Sequence, residues 1–112
     1  MLPRGNRLKK KKEIERVFRE GKGCREDFLF LKLIKNNLKA SRFAFVVSQK
    51  VAKKATLRNK IKRRLRTIFR IRLPEIKTGF DGVVVVQKGG ENKSFQTLSQ
   101  VADKLLKKTK LL

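Results

Sequence analysis

Several side chains on which protein chemistry often depends are missing from this chain. It contains no histidine, tryptophan or tyrosine, and it has one cysteine and two prolines. Without histidine, the usual general base at neutral pH is absent. The single cysteine, Cys24, excludes an intrachain disulfide and a multi-cysteine metal site. No apolar run approaches the roughly 20 residues that cross a bilayer, and the basic N-terminus lacks the apolar segment of a signal peptide. We therefore expect a cytoplasmic protein that is not inserted in a membrane.

Acidic residues are also scarce. Asp and Glu number nine against 32 Lys and Arg, which gives a formal net charge of +23. The carboxylates are scattered, and none belongs to an H-E-x-x-H, D-x-D or similar metal-binding cluster. Walker-type and G-x-G-x-x-G phosphate loops are missing as well. These absences argue against a catalytic group supplied by the polypeptide, and the sequence does not reveal where metal ions would sit.

The positive charge extends from one end of the chain to the other and is not confined to a tail. Such self-repulsion destabilises a compact chain unless a polyanionic partner relieves it. Nucleic acid, bound with strongly salt-dependent affinity, is the favoured partner. An anionic membrane surface is the weaker alternative, because the charge accompanies strand-like as well as helical segments.

The remaining composition predicts one folded RNA-binding domain over residues 1–112, with residues 1–7 as a flexible leader. Hydrophobic residues make up 39% of the chain and include eight Phe, which suffices for one modest core. Apolar periodicity predicts an α+β fold. The predicted elements are a helix over 10–20, strands over 28–35, 42–48 and 80–86, an arginine-rich helix from a Thr56 cap to Pro74, and a last helix capped by Ser94.

We expect these elements to form a small α-β sandwich. It would combine three helices with a mixed sheet of four or fewer strands, in the order α-β-β-(β)-α-β-α. The crossover between strands would pass through the arginine-rich helix.

The arginine-rich helix is the most informative segment. Leu57, Ile61 and Leu65 recur at helical spacing, which makes one face apolar and leaves the opposite face basic. From Thr56 to Leu73 there is no acidic residue, whereas an ordinary solvated helix face mixes charges of both signs. Phosphate contact is therefore favoured over a merely solvated cationic face.

A second candidate surface lies on the first predicted strand. Phe28, Phe30 and Lys32 alternate with a row of leucines, so aromatic rings and an amine share one face. Such a face can stack bases and hold phosphates. The alternative is that these rings only pack the first helix on the sheet. Both interpretations stay open for Phe18 of that helix, and base contact is favoured for Phe28 and Phe30.

The segment S-Q-K-V-A-K-K-A-T-L-R-N-K-I-K-R-R-L-R-T-I-F, Ser48 to Phe69, resembles the signature of the bacterial ribonuclease P protein subunit. The N-R-L-K-K start, the V-V-V-V strand and the amphipathic last helix fit the same family, so the resemblance covers essentially the whole chain. Lys60 stands where the family usually has the second arginine of an Arg-Asn-Arg core. Lysine keeps the positive charge at this position but lacks the planar guanidinium with which arginine can donate two parallel hydrogen bonds.

The resemblance implies an α-β sandwich with a left-handed strand–helix–strand crossover, an exception to the usual hand. It implies that a catalytic RNA hydrolyses the phosphodiester with Mg²⁺, while the protein binds that RNA and the 5′ leader of precursor tRNA. No other protein partner and no membrane would be required. The implied RNA-binding residues are Lys50, Arg58, Asn59, Lys60, Lys62, Arg63 and Arg66, and the implied leader-binding residues are Ile14, Phe18, Phe28, Phe30 and Lys32.

Three other functions compete with this interpretation. A small ribosomal or RNA-architectural protein would share the charge and size without preferring a 5′ leader. An architectural DNA-binding protein would favour duplex DNA. A protein-only nuclease would need metal-binding carboxylates that the sequence does not contain in a cluster.

Overall fold

The computed structural model describes residues 2–112, and Met1 lies outside the described residues. The chain contains three α-helices and four strands, and three of the strands follow one another between the first and second helices. The elements are α1 (Lys11–Glu20), β1 (Lys22–Glu26), β2 (Leu29–Lys35), β3 (Arg42–Val47), α2 (Ala55–Arg72), β4 (Phe80–Val86) and α3 (Phe95–Lys108). Among the described residues, no helix has the length and apolar character needed to cross a membrane.

The four strands form one mixed sheet in the order β1-β2-β4-β3. β2 pairs antiparallel with β1 and β4, whereas β3 and β4 run parallel. Parallel neighbours need a crossover, and α2 supplies it between β3 and β4. The α+β class, the mixed sheet and the three helices confirm the predicted fold. The left hand of the crossover stays a prediction.

The larger core lies between the sheet and the helices α2 and α3. Because side chains alternate along a strand, Phe43 and Phe45 of β3 both point toward α2. Their rings contact Phe69 edge to face, with centroid-to-centroid distances of 5.0 and 5.1 Å. The leucines of β2 point the same way, and Leu29 and Leu31 are fully buried. Ser94 caps α3 as predicted, since its side chain accepts a hydrogen bond from the Thr97 N–H.

Among the described residues, the other face of the sheet is covered by α1 and by Leu8 of the N-terminal segment, which form a smaller cluster with it. Val17 of α1, Val83 of β4 and Leu8 are buried there, and Ile14 and Ile34 pack around them half-buried. The sheet is therefore thickly covered on one face and only partly covered on the other. This asymmetry leaves sheet side chains accessible beside α1.

The flexibility of residues 1–7 stays a prediction; in the structure Leu2 is buried, and the Leu8 N–H donates a hydrogen bond to the Phe43 carbonyl at 3.0 Å. Two local features differ from the sequence pattern. β1 did not appear in the pattern of strands, because its sequence K-G-C-R-E lacks apolar alternation and its place depends on pairing with β2. α2 begins at Ala55 after Lys54, and no side chain caps it, so Thr56 is not its cap.

Candidate nucleic-acid interface

The outer side of α2 forms a basic face. Ile61, Leu65, Ile68 and Phe69 are buried beneath it, and the remaining side chains project outward without a carboxylate among them. This separation follows from the helical period, because the buried residues recur every three or four positions. The residues of the basic face are Asn59, Lys60, Arg63 and Arg70, which are exposed, and Lys62 and Arg66, which are half-buried.

Arg58 occupies a different environment from its neighbours in the motif. Its guanidinium turns back on the connector before α2 and donates hydrogen bonds to the carbonyls of Ala52 at 2.9 Å and Lys53 at 2.7 Å. Arg58 thereby holds the start of α2 against the loop, at a helix end that has no side-chain cap. Lys50 is exposed in the same connector. Spacing alone gave no sign of this structural role.

An apolar strip crosses the sheet on the α1 side. Phe30 pairs with Val85 and Val85 pairs with Val46 in adjacent strands, so the three side chains form one row. Ala44 extends the strip along β3 on the same face. All four are half-buried and border solvent. The sequence pattern showed Phe30 but missed the valines, which look like ordinary core residues in a V-V-V-V run.

Two predicted residues of α1 lie where α1 borders this face. Phe18 lies one helical turn after Ile14 and is 40% exposed, so its ring is accessible to solvent. Ile14 is half-buried against the small cluster. The cleft between α1 and the sheet, and base contact by either residue, stay predictions.

Phe28 and Lys32 do not have the surroundings that the sequence suggested. Phe28 precedes β2 in a turn that follows Asp27, whose φ is 53°, so strand alternation does not reach it. Its ring is buried in the larger core, and we therefore remove it from the predicted cleft. Lys32 does lie on the α1 side, but its Nζ donates to the carbonyls of Phe18 at 3.2 Å and Gly21 at 3.5 Å. Its amine is engaged by the end of α1.

A groove of about 340 Å³ has one residue of the apolar strip, Ala44, and one residue of the basic face, Arg66, in its lining. Ile14 of α1 also lines it. The N-terminal segment adds Arg7 and Lys9. The sequence analysis assigned Arg66 to the RNA-binding residues and Ile14 to the leader-binding residues, and in the structure both line the same groove. Arg7 and Lys9 were not among the predicted binding residues.

The carboxylates are mostly engaged in ion pairs. Arg42 of β3 donates two hydrogen bonds to Asp81, from Nε to Oδ1 at 2.8 Å and from Nη2 to Oδ2 at 2.6 Å. Its Nη2 also donates to Glu13 Oε2 of α1 at 2.9 Å. The hydrogen bonds to Asp81 are the main reason that the pKa of Arg42 is raised. Arg72 forms a second paired set with Asp103 and Glu75.

These pairings leave little capacity for a metal ion. Within residues 2–112, no group of three or more Cys, Asp or Glu side chains converges. The described residues thus present no carboxylate cluster that could enclose Mg²⁺ without other ligands, and Mg²⁺ at phosphate sites usually takes one or two carboxylates together with waters and phosphate oxygens.

Fold and surface together define a small basic α+β protein with a candidate nucleic-acid interface on α2 and beside α1. Residues 2–110 match the family model described as Ribonuclease P, and the chain belongs to this family.

Relatives and solved structures agree with this membership. The chain is 37% identical over 113 residues to the Ribonuclease P protein component of Pseudanabaena sp., covering 100% of this chain and 97% of the relative. It is 36% identical to the RNase P protein from Thermotoga maritima, with a TM-score of 0.82 over 91% of this chain and 96% of that chain. The RNase P protein of Staphylococcus aureus superposes with a TM-score of 0.87 at 24% identity, covering 95% and 96%, and this likeness concerns the fold alone.

Proposed function

We propose that the chain is the protein subunit of a ribonuclease P ribonucleoprotein. It binds the catalytic RNA through the basic face of α2, and it binds the 5′ leader of precursor tRNA along the apolar strip. In this way it assists endonucleolytic removal of the leader during tRNA 5′ maturation. It acts in the cytoplasm and requires no other protein partner.

One observation carries the proposal: a single groove is lined by Ala44 of the apolar strip, Ile14 of α1 and Arg66 of the basic face. A single strand lying on the strip can stack bases on apolar and aromatic side chains, while Arg66 and its neighbours neutralise phosphates. Folded RNA beside it meets the acid-free face of α2, where counterion release favours binding. Two RNA elements can therefore be held next to each other.

The hydrolysis itself is assigned to the RNA subunit, with Mg²⁺ held mainly by RNA. The chain has no histidine. Of its carboxylates, Asp81 and Asp103 are held by arginines at short range. The polypeptide would thus contribute binding and orientation, and the chemical groups would come from the RNA and its metal ions.

The test is cleavage of a precursor tRNA at low Mg²⁺ by a bacterial ribonuclease P RNA, with and without this protein. We expect cleavage to require the RNA and to rise sharply when the protein is added, and a protein-only reaction is the control. Tight RNA binding without stimulation would favour a ribosomal or RNA-architectural protein. Cleavage by the protein alone would reveal a catalytic site in the polypeptide.

A further inference from the structure

α1 is attached to the sheet by unusually few apolar contacts. Of its ten residues only Val17 is fully buried, and Ile14 is half-buried. α2, by comparison, buries Ile61, Leu65, Ile68 and Phe69. Non-directional apolar burial by one or two side chains allows a short helix to shift or rotate on the sheet. Directional contacts are needed to fix its position.

Such contacts exist at both ends of α1. In its first turn, Glu13 accepts a hydrogen bond at 2.9 Å from Arg42, which is itself held in a bidentate pair by Asp81. At its last turn, Lys32 donates to the Phe18 and Gly21 carbonyls, where the helix dipole favours a cation. Both basic residues project from the sheet. Each end of α1 is therefore tied to a strand by charge.

The Arg42 contact is anchored firmly enough to define a position. The Asp81 side chain is 8% exposed and the Arg42 side chain 20%, and Asn36 Nδ2 donates to Asp81 Oδ1 at 2.8 Å. Charge-assisted, partly buried hydrogen bonds of this kind are short and directional. Glu13 is the outer member at 34% exposure. Glu13 is therefore the residue that links α1 to the Arg42–Asp81 pair, which is fixed in the sheet.

We propose that Glu13 and Lys32 are positioning residues that set the location of α1, and with it the width of the cleft between α1 and the apolar strip. This inference rests on the proposed function. Neither residue needs to touch RNA for this role. Loss of either contact leaves the basic face of α2 intact and lets Phe18 and Ile14 move relative to the strip.

The test uses holoenzyme reconstituted with a bacterial ribonuclease P RNA. The readout is the leader gain. We define it as the affinity of the holoenzyme for precursor tRNA divided by the affinity of the holoenzyme for the same tRNA without a leader. Glu13→Gln keeps the shape of the side chain and leaves the Arg42–Asp81 pair in place. Glu15→Gln is the matched control, because it removes the same charge from an exposed position of α1. We expect Glu13→Gln to reduce the leader gain roughly three- to tenfold, the range of one charge-assisted contact at a partly exposed site.

The same variant is expected to leave affinity for the ribonuclease P RNA near wild type. Lys32→Met should lower the leader gain in the same direction, with Lys35→Met on the exposed end of β2 as its control. Equal leader gains for Glu13→Gln and Glu15→Gln would overturn the inference. It would also be overturned if Glu13→Gln lost the same affinity for precursor tRNA and for the tRNA without a leader. A wild-type holoenzyme with no leader gain would instead contradict the proposed function.

Discussion

The basic face of α2 and the region around α1 use their charges in opposite ways. α2 contains no acidic residue along Ala55–Arg72, so its outward arginines and lysines have no carboxylate neighbours within the helix. α1 contains three glutamates, and its arginines are paired within the helix, as Arg16 is with Glu20 at 3.4 Å. Unpaired surface cations are available to phosphates, whereas paired ones define geometry. We infer that α2 supplies affinity and that the α1 region supplies discrimination.

The largest effect is expected when charge is removed from the basic face. Arg63→Gln combined with Arg66→Gln should weaken binding to ribonuclease P RNA by about tenfold or more near physiological salt, because two phosphate contacts are lost. The slope of log affinity against log salt should become shallower by about 1.5. Filter binding or fluorescence anisotropy across a salt series measures both quantities.

The control is Lys104→Gln with Lys107→Gln, which removes the same charge from exposed positions of α3. If the two double variants lose equal affinity, net charge alone governs binding and the face of α2 has no special role. The leader gain should be almost unchanged in the control. If the α3 control variant also lost leader gain, discrimination could not be assigned to the α1 region alone.

A smaller and more selective effect is expected at Phe18. Phe18→Ala should reduce the leader gain by about fivefold or more, in keeping with the loss of one base stacked on an aromatic ring. Phe95 of α3 has the same exposure, 40%, and Phe95→Ala is therefore a matched control. Affinity for tRNA without a leader is measured in parallel. A fall in thermal stability with no change in leader gain would mean that Phe18 only packs α1 on the sheet.

The third effect is on stability and concerns Arg58. Arg58→Lys removes the planar fork that reaches the Ala52 and Lys53 carbonyls, so we expect the free energy of unfolding to fall by about 1 kcal/mol. Asn59→Ala, at an exposed neighbouring position, should change it little. Urea denaturation followed by circular dichroism compares the two. Equal stabilities would show that the loop does not depend on Arg58.

These comparisons also show what the sequence can and cannot predict. Periodicity located α2, β3, β4 and α3, because their buried residues recur at regular spacing. It could not locate β1, whose K-G-C-R-E sequence depends on pairing with β2. It misplaced Phe28, because alternation was extended past the end of the strand into a turn. The arginine motif was visible as a pattern, but the partners of Arg58 and Lys32 are backbone carbonyls, which no sequence pattern reports.

The smallest effect tests whether Phe30 belongs with Phe18 in the discriminating region. Gly23 of β1 lies under the Phe30 ring, and an added Cβ would meet Phe30 Cζ at 2.5 Å. Gly23→Ala should therefore move the tip of the ring and leave the sheet intact, lowering the leader gain by about two- to threefold, less than the loss of a whole stacked base. Gly5→Ala is the control, since a Cβ there meets nothing within 4 Å. An unchanged leader gain, with nuclear magnetic resonance showing that the ring has moved, would separate Phe30 from the cleft. The discriminating region would then depend on α1 and the valines of the strip.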